Sequence, residues 1–146
     1  MSQRENAIGA LFVLLGQLSL GTSGATVKRN AALPDRIAGH AMAILRDGEM
    51  GEPEVSLSPL TYHWQHQVAI ELFVADPDAS ARDARMDGLL VELATLIDID
   101  RTLGGQIEYA EIGTPKFDEL APDGTTGIKA CLLPVILHYS SPGPLH

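Results

Sequence analysis

The sequence predicts an α+β fold: a single domain, a mostly antiparallel β-sheet, and two main helices packed on one of its faces. Three observations predict it. Leu60–Ala75 alternates, with Leu60, Tyr62, Trp64, His66, Val68, Ile70, Leu72 and Val74 on one side and Thr61, His63, Gln65, Gln67 and Glu71 on the other. That period of two marks a long strand with one face in a core. Two stretches, near the start and after Asp76, repeat apolar residues every three or four positions, which is the helical period. The third is a nearly continuous apolar run, Gly127–Tyr139, close to the end.

Residues 2–20 read as the first helix. Ile8, Leu11, Phe12, Leu15 and Leu18 share a face, Ser2 is placed to cap it with Glu5 three residues on, and Gly21 sits where a C-terminal cap belongs. Val13 and Leu14 widen the apolar face, so this helix either lies deep or meets a partner on its second side. Residues 21–39 read as loop, punctuated by Thr22-Ser23-Gly24 and Pro34. Within it, Val27-Lys28-Arg29-Asn30 is a basic island, either a solvated connector or a docking loop for an acidic partner.

Residues 40–46 read as a strand, Asp47-Gly48 as a turn, and residues 52–57 as the returning strand of a hairpin with an acidic tip. After the long strand, Asp76-Pro77-Asp78 starts a helix running to about Ile97. Its stripe is Met86, Leu89, Leu90, Leu93, Leu96 and Ile97, and Gly88 in mid-helix suggests close packing against the sheet. Residues 98–105 turn the chain. Residues 106–112 read as a strand with Ile107 and Tyr109 inward, and 115–126 as a polar loop containing Asp123-Gly124. The last strand is apolar on both sides, which demands cover on both and fits a subunit boundary. Pro134 within it has no N–H, so it belongs at an edge or bulge. The tail from Ser140 is expected to be extended and exposed.

The chain has 146 residues, enough for one domain with a core of its own. A formal net charge of −9 disfavours direct phosphate binding, which needs clustered cations. A single cysteine, Cys131, excludes an intramolecular disulfide and suits a reducing compartment. The Leu-rich run Ala7–Leu20 is too short to span a bilayer and lacks the basic start of a signal segment, so no membrane partner is expected.

No catalytic, metal or cofactor motif stands out. His63 and His66 are three apart on a strand, so they point to opposite faces and cannot share a metal. Cys131 among Ala130, Leu132 and Leu133 reads as a small buried apolar residue, not a nucleophile. Ser56 and Ser58 lack the strand-to-helix elbow of a serine hydrolase. Asp98 and Asp100 read as turn formers. Tyr62 and Trp64 read as core, not as a base-stacking platform.

Several segments carry a resemblance: Arg4-Glu5-Asn6-Ala7-Ile8, residues 27–34 from Val27 to Pro34, Ile44-Leu45-Arg46-Asp47-Gly48, residues 56–63 from Ser56 to His63, Asp100-Arg101-Thr102-Leu103-Gly104-Gly105, and Pro134-Val135-Ile136-Leu137-His138-Tyr139. Together they resemble the tail-terminator, or tail-completion, proteins of long-tailed phages and prophages. The resemblance implies a structural virion protein at the head-proximal end of the tail, assembled in the host cytoplasm, and no enzyme. It implies a homo-oligomeric ring, usually a hexamer, that caps the tail tube protein and stops its polymerisation. The ring also offers a docking surface to the head–tail connector or stopper, and DNA passes through its lumen without sequence-specific binding. A stopper ring, a tube subunit, or a small acyl-transfer or hydrolytic enzyme are the alternatives. A ring needs two different complementary patches on each subunit. The candidates for subunit or tube contacts are Lys28 and Arg29 in the basic island, Arg46, Asp47 and Glu49 at the hairpin tip, and Leu132 and Ile136 on the last strand.

Overall fold

A computed structural model describes residues 1–32, 37, 39–120 and 127–146. The expected turns at Pro34 and at Asp123-Gly124 fall outside the described residues. Ser2 caps helix α1 (Gln3–Leu15), its hydroxyl accepting from the Glu5 N–H at 3.2 Å. The α-helix is shorter than expected. At Gly16 it tightens into a 3-10 helix, Gly16–Leu20, because a glycine weakens the α ladder. Ala7, Ile8, Leu11, Leu14, Leu15 and Leu18 are buried against the sheet.

Strand β1 (Thr26–Arg29) corrects the loop expected there: it pairs in parallel with β2 (Ala41–Glu49), Val27 beside Ala43 and Lys28 beside Ile44. The Asp47-Gly48 turn is also corrected. Between Arg46 and Glu49 the ladder advances three residues on β2 but only two on β4 (Thr61–Ala75), from Ala69 to Gln67. The pair therefore forms a bulge inside the strand. Gly48 has φ +65°, and a Cβ there would stand 2.0 Å from the Gln67 carbonyl oxygen. The same residue chemistry serves a turn or a bulge, and the sheet selects the bulge. Strand β3 (Glu54–Ser56) does not return along β2. Both strands lie end to end on one edge of β4, so the hairpin is β3–β4.

Helix α2 (Ala79–Ile99) is capped by Asp78, whose carboxylate accepts from the Ala81 N–H at 3.1 Å. Met86, Leu89, Leu93 and Ile97 are buried, while Leu90 and Leu96 are half-buried at the margin. Gly88 is exposed on the opposite side of α2, and among the described residues no neighbouring side chain or element stands within 4 Å of where a Cβ would be. It does not pack on the sheet, as its place in the sequence suggested. In a helix that placement costs about 1 kcal/mol relative to alanine.

The spine of the sheet is β4 paired with β7 (Ile128–Ser141) over fourteen consecutive antiparallel partners, from Tyr62 opposite Ser141 to Ala75 opposite Ile128. Beyond β7 lie β5 (Tyr109–Ile112) and β6 (Lys116–Leu120), the latter in the region expected to be loop. Strand order is β1-β2-β4-β7-β5, all antiparallel except β1. Pro134 sits where β6 has ended and β5 begins. Its carbonyl accepts from the Gly113 N–H at 2.8 Å, so its missing donor faces the gap between the two strands.

Both helices cover one face of the sheet, burying Val68, Ile70, Leu72, Cys131, Leu133, Val135, Leu137 and Tyr139 beneath them. Among the described residues the other face carries no helix. Met42, Ile44 and Phe73 are buried there in a small cluster with Ala31, Ile37, Ile128 and Ala130. Ile107 is buried as expected, but it lies in the turn before β5. Tyr109 belongs to the helix-free face and is exposed, correcting its inward placement. The tail is corrected in part: Pro142, Pro144, Leu145 and His146 are exposed as expected, but its start is not. Strand β7 runs on to buried Ser141, and the His146 carbonyl accepts from the Gln3 N–H at 2.7 Å, tying the last residue to the start of α1.

Candidate functional site

The register gathers five of the seven candidate contact residues on the helix-free face. Lys28, Ile44, Glu71 and Leu132 form one row across β1, β2, β4 and β7. Arg46 lies opposite Ala69, while Glu49 and Ile136 flank Gln67 from its two sides. Lys28 and Glu49 are exposed, Leu132 is 42% exposed and Ile136 is half-buried. Arg46 is ion-paired with Glu71 on this face. The patch is thus an apolar strip, Leu132-Pro134-Ile136, beside the Arg46–Glu71 ion pair, with Lys28 three strands away on the same face and in no ion pair among the described residues.

Arg29 and Asp47 lie elsewhere. They face the helix side, where the Arg29 guanidinium is bidentate to Glu5 at 2.6 and 3.0 Å and to Asp47 at 3.0 and 3.1 Å. The two carboxylates drive the Arg29 pKa upward. The Arg29 hydrogen bonds hold Glu5 below its ordinary range. For Asp47 burial pushes upward, but the Arg29 and Asn30 hydrogen bonds outweigh it and the net shift is down. These groups clamp α1 to the β2 bulge. They are structural, and the expected docking role does not fit a guanidinium with both flanks occupied.

The same bulge holds His66. Its Nε2–H donates to the Asp47 carbonyl at 2.6 Å, and Nδ1 accepts the Tyr139 hydroxyl at 2.8 Å. A carbonyl can only accept, which fixes the neutral tautomer. Burial lowers the His66 pKa and raises that of Tyr139 to about 12. His63 points to the other face, as the strand period requires, so the two histidines share no ligand. Among the described residues no group of three or more His, Cys, Asp or Glu could hold a metal.

Among the described residues one serine and histidine stand within hydrogen-bond reach of each other. Ser56 Oγ stands 2.9 Å from His63 Nε2, a nucleophile-to-base distance that sequence spacing alone did not reveal. Both residues are exposed on the β3–β4 hairpin, and no hydrogen bond between Glu54, opposite His63, and the ring is present. Without an orienting carboxylate or a sheltered donor pair, the dyad is a surface hydrogen bond. Cys131 is buried and burial raises its pKa, so the thiol stays protonated and inert.

A second exposed apolar surface lies on the helix side. Residues 6–27 contain no Asp, Glu, Lys or Arg. Val13 on α1 is 74% exposed, Leu20 88% and Val91 on α2 58%. Leu20, Gly88, Val91 and Leu96 line a shallow groove of about 690 Å³ between the 3-10 helix and α2. Sequence reasoning singled out Val13 but not Leu20 or Val91. The uncharged run from Asn6 to Val27 was the available signal. Among the described residues no helix is long and apolar enough to cross a membrane. No protein-family model matches the chain, and none of the curated proteins compared with it gives a significant match.

Proposed function

We propose that this chain is a tail terminator: a structural protein whose copies close into a ring on the tail tube, stop its growth and present a surface to the head connector. The observation that carries the reading is the pair of dissimilar apolar surfaces on opposite layers, Leu132-Pro134-Ile136 on the bare sheet face and Val13-Leu20-Val91 on the helices. A ring of three or more copies joins unlike patches head to tail, so one subunit must carry both. The motif resemblance supplies the tail context. The net charge of −9 suits a lumen through which DNA slides without sticking. Partners on this reading are further copies of the chain, the tube protein and the connector.

The test is twofold. The purified protein is expected at several times 15.6 kDa in sedimentation, with rings visible by electron microscopy. A virus lacking the gene is expected to make overlong, headless tails. Normal-length tails from that virus defeat the reading. A second reading, a tube subunit, is favoured by the sheet edges at β1 and at β5 and β6, which carry no further strand among the described residues. Long open polymers from the pure protein select it.

A further inference from the structure

We propose that the outer edge of β1 in one copy pairs antiparallel with the outer edge of β6 in the next, so that one sheet continues from subunit to subunit. The inference rests on the ring reading and names the contact that repeats around it.

Level and direction select these two edges. Thr26, Met42, Phe73, Ala130 and Asp118 lie in one row across the sheet. Two residues on, Lys28, Ile44, Glu71, Leu132 and Lys116 lie in another. Strands β1 and β6 therefore stand at the same level on opposite margins. The other marginal strands do not: β5 lies opposite residues 135–138 of β7, and β3 opposite residues 61–63 of β4. Because β1 is parallel to β2 while every other pairing is antiparallel, β1 and β6 run in opposite directions. Two copies set side by side in the same orientation thus present β1 to β6 as an antiparallel pair. Two like edges meet only when one copy is turned end for end, and that isologous pairing stops at two chains.

Both edges turn backbone groups outward. The Asn30 N–H donates to the Leu45 carbonyl, and peptide orientation alternates along a strand, so Lys28 also faces β2 while Val27 and Arg29 face away from it. The Pro134 carbonyl accepts from the Gly113 N–H, so the even-numbered residues of β7 face the outer strands. Lys116 and Asp118 opposite them face inward, and Phe117 and Glu119 turn their peptide groups outward. Among the described residues no strand pairs with either edge.

Charge fixes the register. With the copies level, Lys28 falls opposite Lys116, and Arg29 comes up to Pro115, which has no N–H to give. A stagger of two residues puts Lys28 opposite Asp118 and Arg29 opposite the exposed Phe117. Lys28 and Asp118 are both exposed, and neither makes a salt bridge among the described residues. Opposite charges facing each other across two strands favour the pair, and like charges oppose it. A fixed stagger at every joint is also what tilted strands need in order to close on themselves.

The experiment compares the mass of the full chain by sedimentation with that of Val27→Pro and Phe117→Pro. Each variant removes an outward N–H and leaves the ladder inside the subunit intact. The fluorescence maximum of buried Trp64 reports whether each is folded. Each alone is expected at single-chain mass, and an equal mixture at high concentration is expected to give pairs of chains, since each variant keeps the edge that the other lacks. Lys28→Glu and Asp118→Lys, both at exposed positions, are each expected to weaken assembly by about threefold or more, and the two changes together to restore it. If the parent assembles and either folded proline variant assembles equally well, the edge contact is overturned and the ring reading stands. Pairing of Val27→Pro with its own copies overturns β1 as the occupant, and so does a mixture that stays at single-chain mass. Charge reversals without mutual rescue overturn the register. A parent that is monomeric at all concentrations overturns the ring reading and this contact with it.

Discussion

The indole N–H of Trp64 donates to the Ser141 hydroxyl at 2.9 Å, joining the start of β4 to the end of β7. The Ser141 hydroxyl in turn donates to the Gly143 carbonyl at 2.7 Å. Trp64 and Ser141 are both buried, so Ser141→Ala leaves the indole without an acceptor. The expected loss is about 1–3 kcal/mol in urea unfolding, with the native Trp64 fluorescence altered before global unfolding.

Arg29 carries the clamp between α1 and the β2 bulge. Its side chain is 23% exposed, and the Glu5 and Asp47 partners are more so, which moderates the electrostatic gain. Arg29→Ala is expected to destabilise by about 1–2 kcal/mol. Arg29→Lys recovers only part of that, because an ammonium cannot hold two carboxylates in bidentate fashion. Equal stability of the Lys and wild-type proteins, measured by chemical denaturation, counts against the fork geometry.

Acidification acts on the same place in two stages. Burial holds His66 below its ordinary 6.5, so the unfolded chain takes a proton at higher pH than the folded one. Stability tied to His66 is complete above pH 6.5 and is lost as pH falls through the folded value. Glu5 and Asp47, lowered from 4.5 and 3.8, add a second loss at lower pH with the same sign. Thermal melts from pH 7.5 to 5 are expected to show a falling midpoint, and His66→Gln is expected to flatten the slope in that range. A midpoint that rises on acidification contradicts the neutral tautomer.

Gly48→Ala places a methyl within 2.0 Å of the Gln67 carbonyl oxygen at a left-handed φ. The expected destabilisation exceeds about 2 kcal/mol, since backbone on both sides must shift. Gly51 has a similar φ of +70° with open space around it. Gly51→Ala is therefore expected to cost only the strain of the conformation, and the difference in denaturation midpoints between the two variants measures the clash.

Two leucines separate fold from assembly. Leu89 is fully buried, and Leu89→Ala is expected to cost about 2–5 kcal/mol. Leu132→Ser, on the bare sheet face, is expected to leave the stability of the isolated chain within about 0.5 kcal/mol. On the ring reading it also lowers the assembled mass. Unchanged assembly in Leu132→Ser removes that strip from the contact.

The long strand and the first helix cap were legible because each is written in local chemistry, and the apolar stripes of both helices pointed to one covered face. The Leu60–Ala75 alternation and Ser2 need no distant partner to be recognised, whereas the second helix, expected from Pro77, begins two residues later at Ala79 with Asp78 as its cap. Strands β1 and β6 were not legible. Thr26–Arg29 is four residues with two cations, and Lys116–Leu120 is mostly charged, so neither shows an apolar period. Both exist as edge additions to a neighbour already in place. Asp47-Gly48 was read as a chain reversal, but Gly48 takes its left-handed backbone inside a bulge of a continuing strand. The paired strand, not the dipeptide, decides between those outcomes. Gly88 and Tyr109 were placed inward from spacing alone, and their exposure followed only from the observed register and helix rotation. Of the contact candidates, Arg29 and Asp47 were drawn into an internal clamp because their partner Glu5 lies far away in sequence.

Pro134 has a consequence for how this protein behaves when crowded. By dividing the outer margin of β7 between two short strands, it denies incoming polypeptide a long, uninterrupted template. Cross-β stacking into insoluble fibrils needs such a template over six or more residues. The margin formed by β5 and β6 therefore presents two runs of four and five residues, too short to seed such stacking.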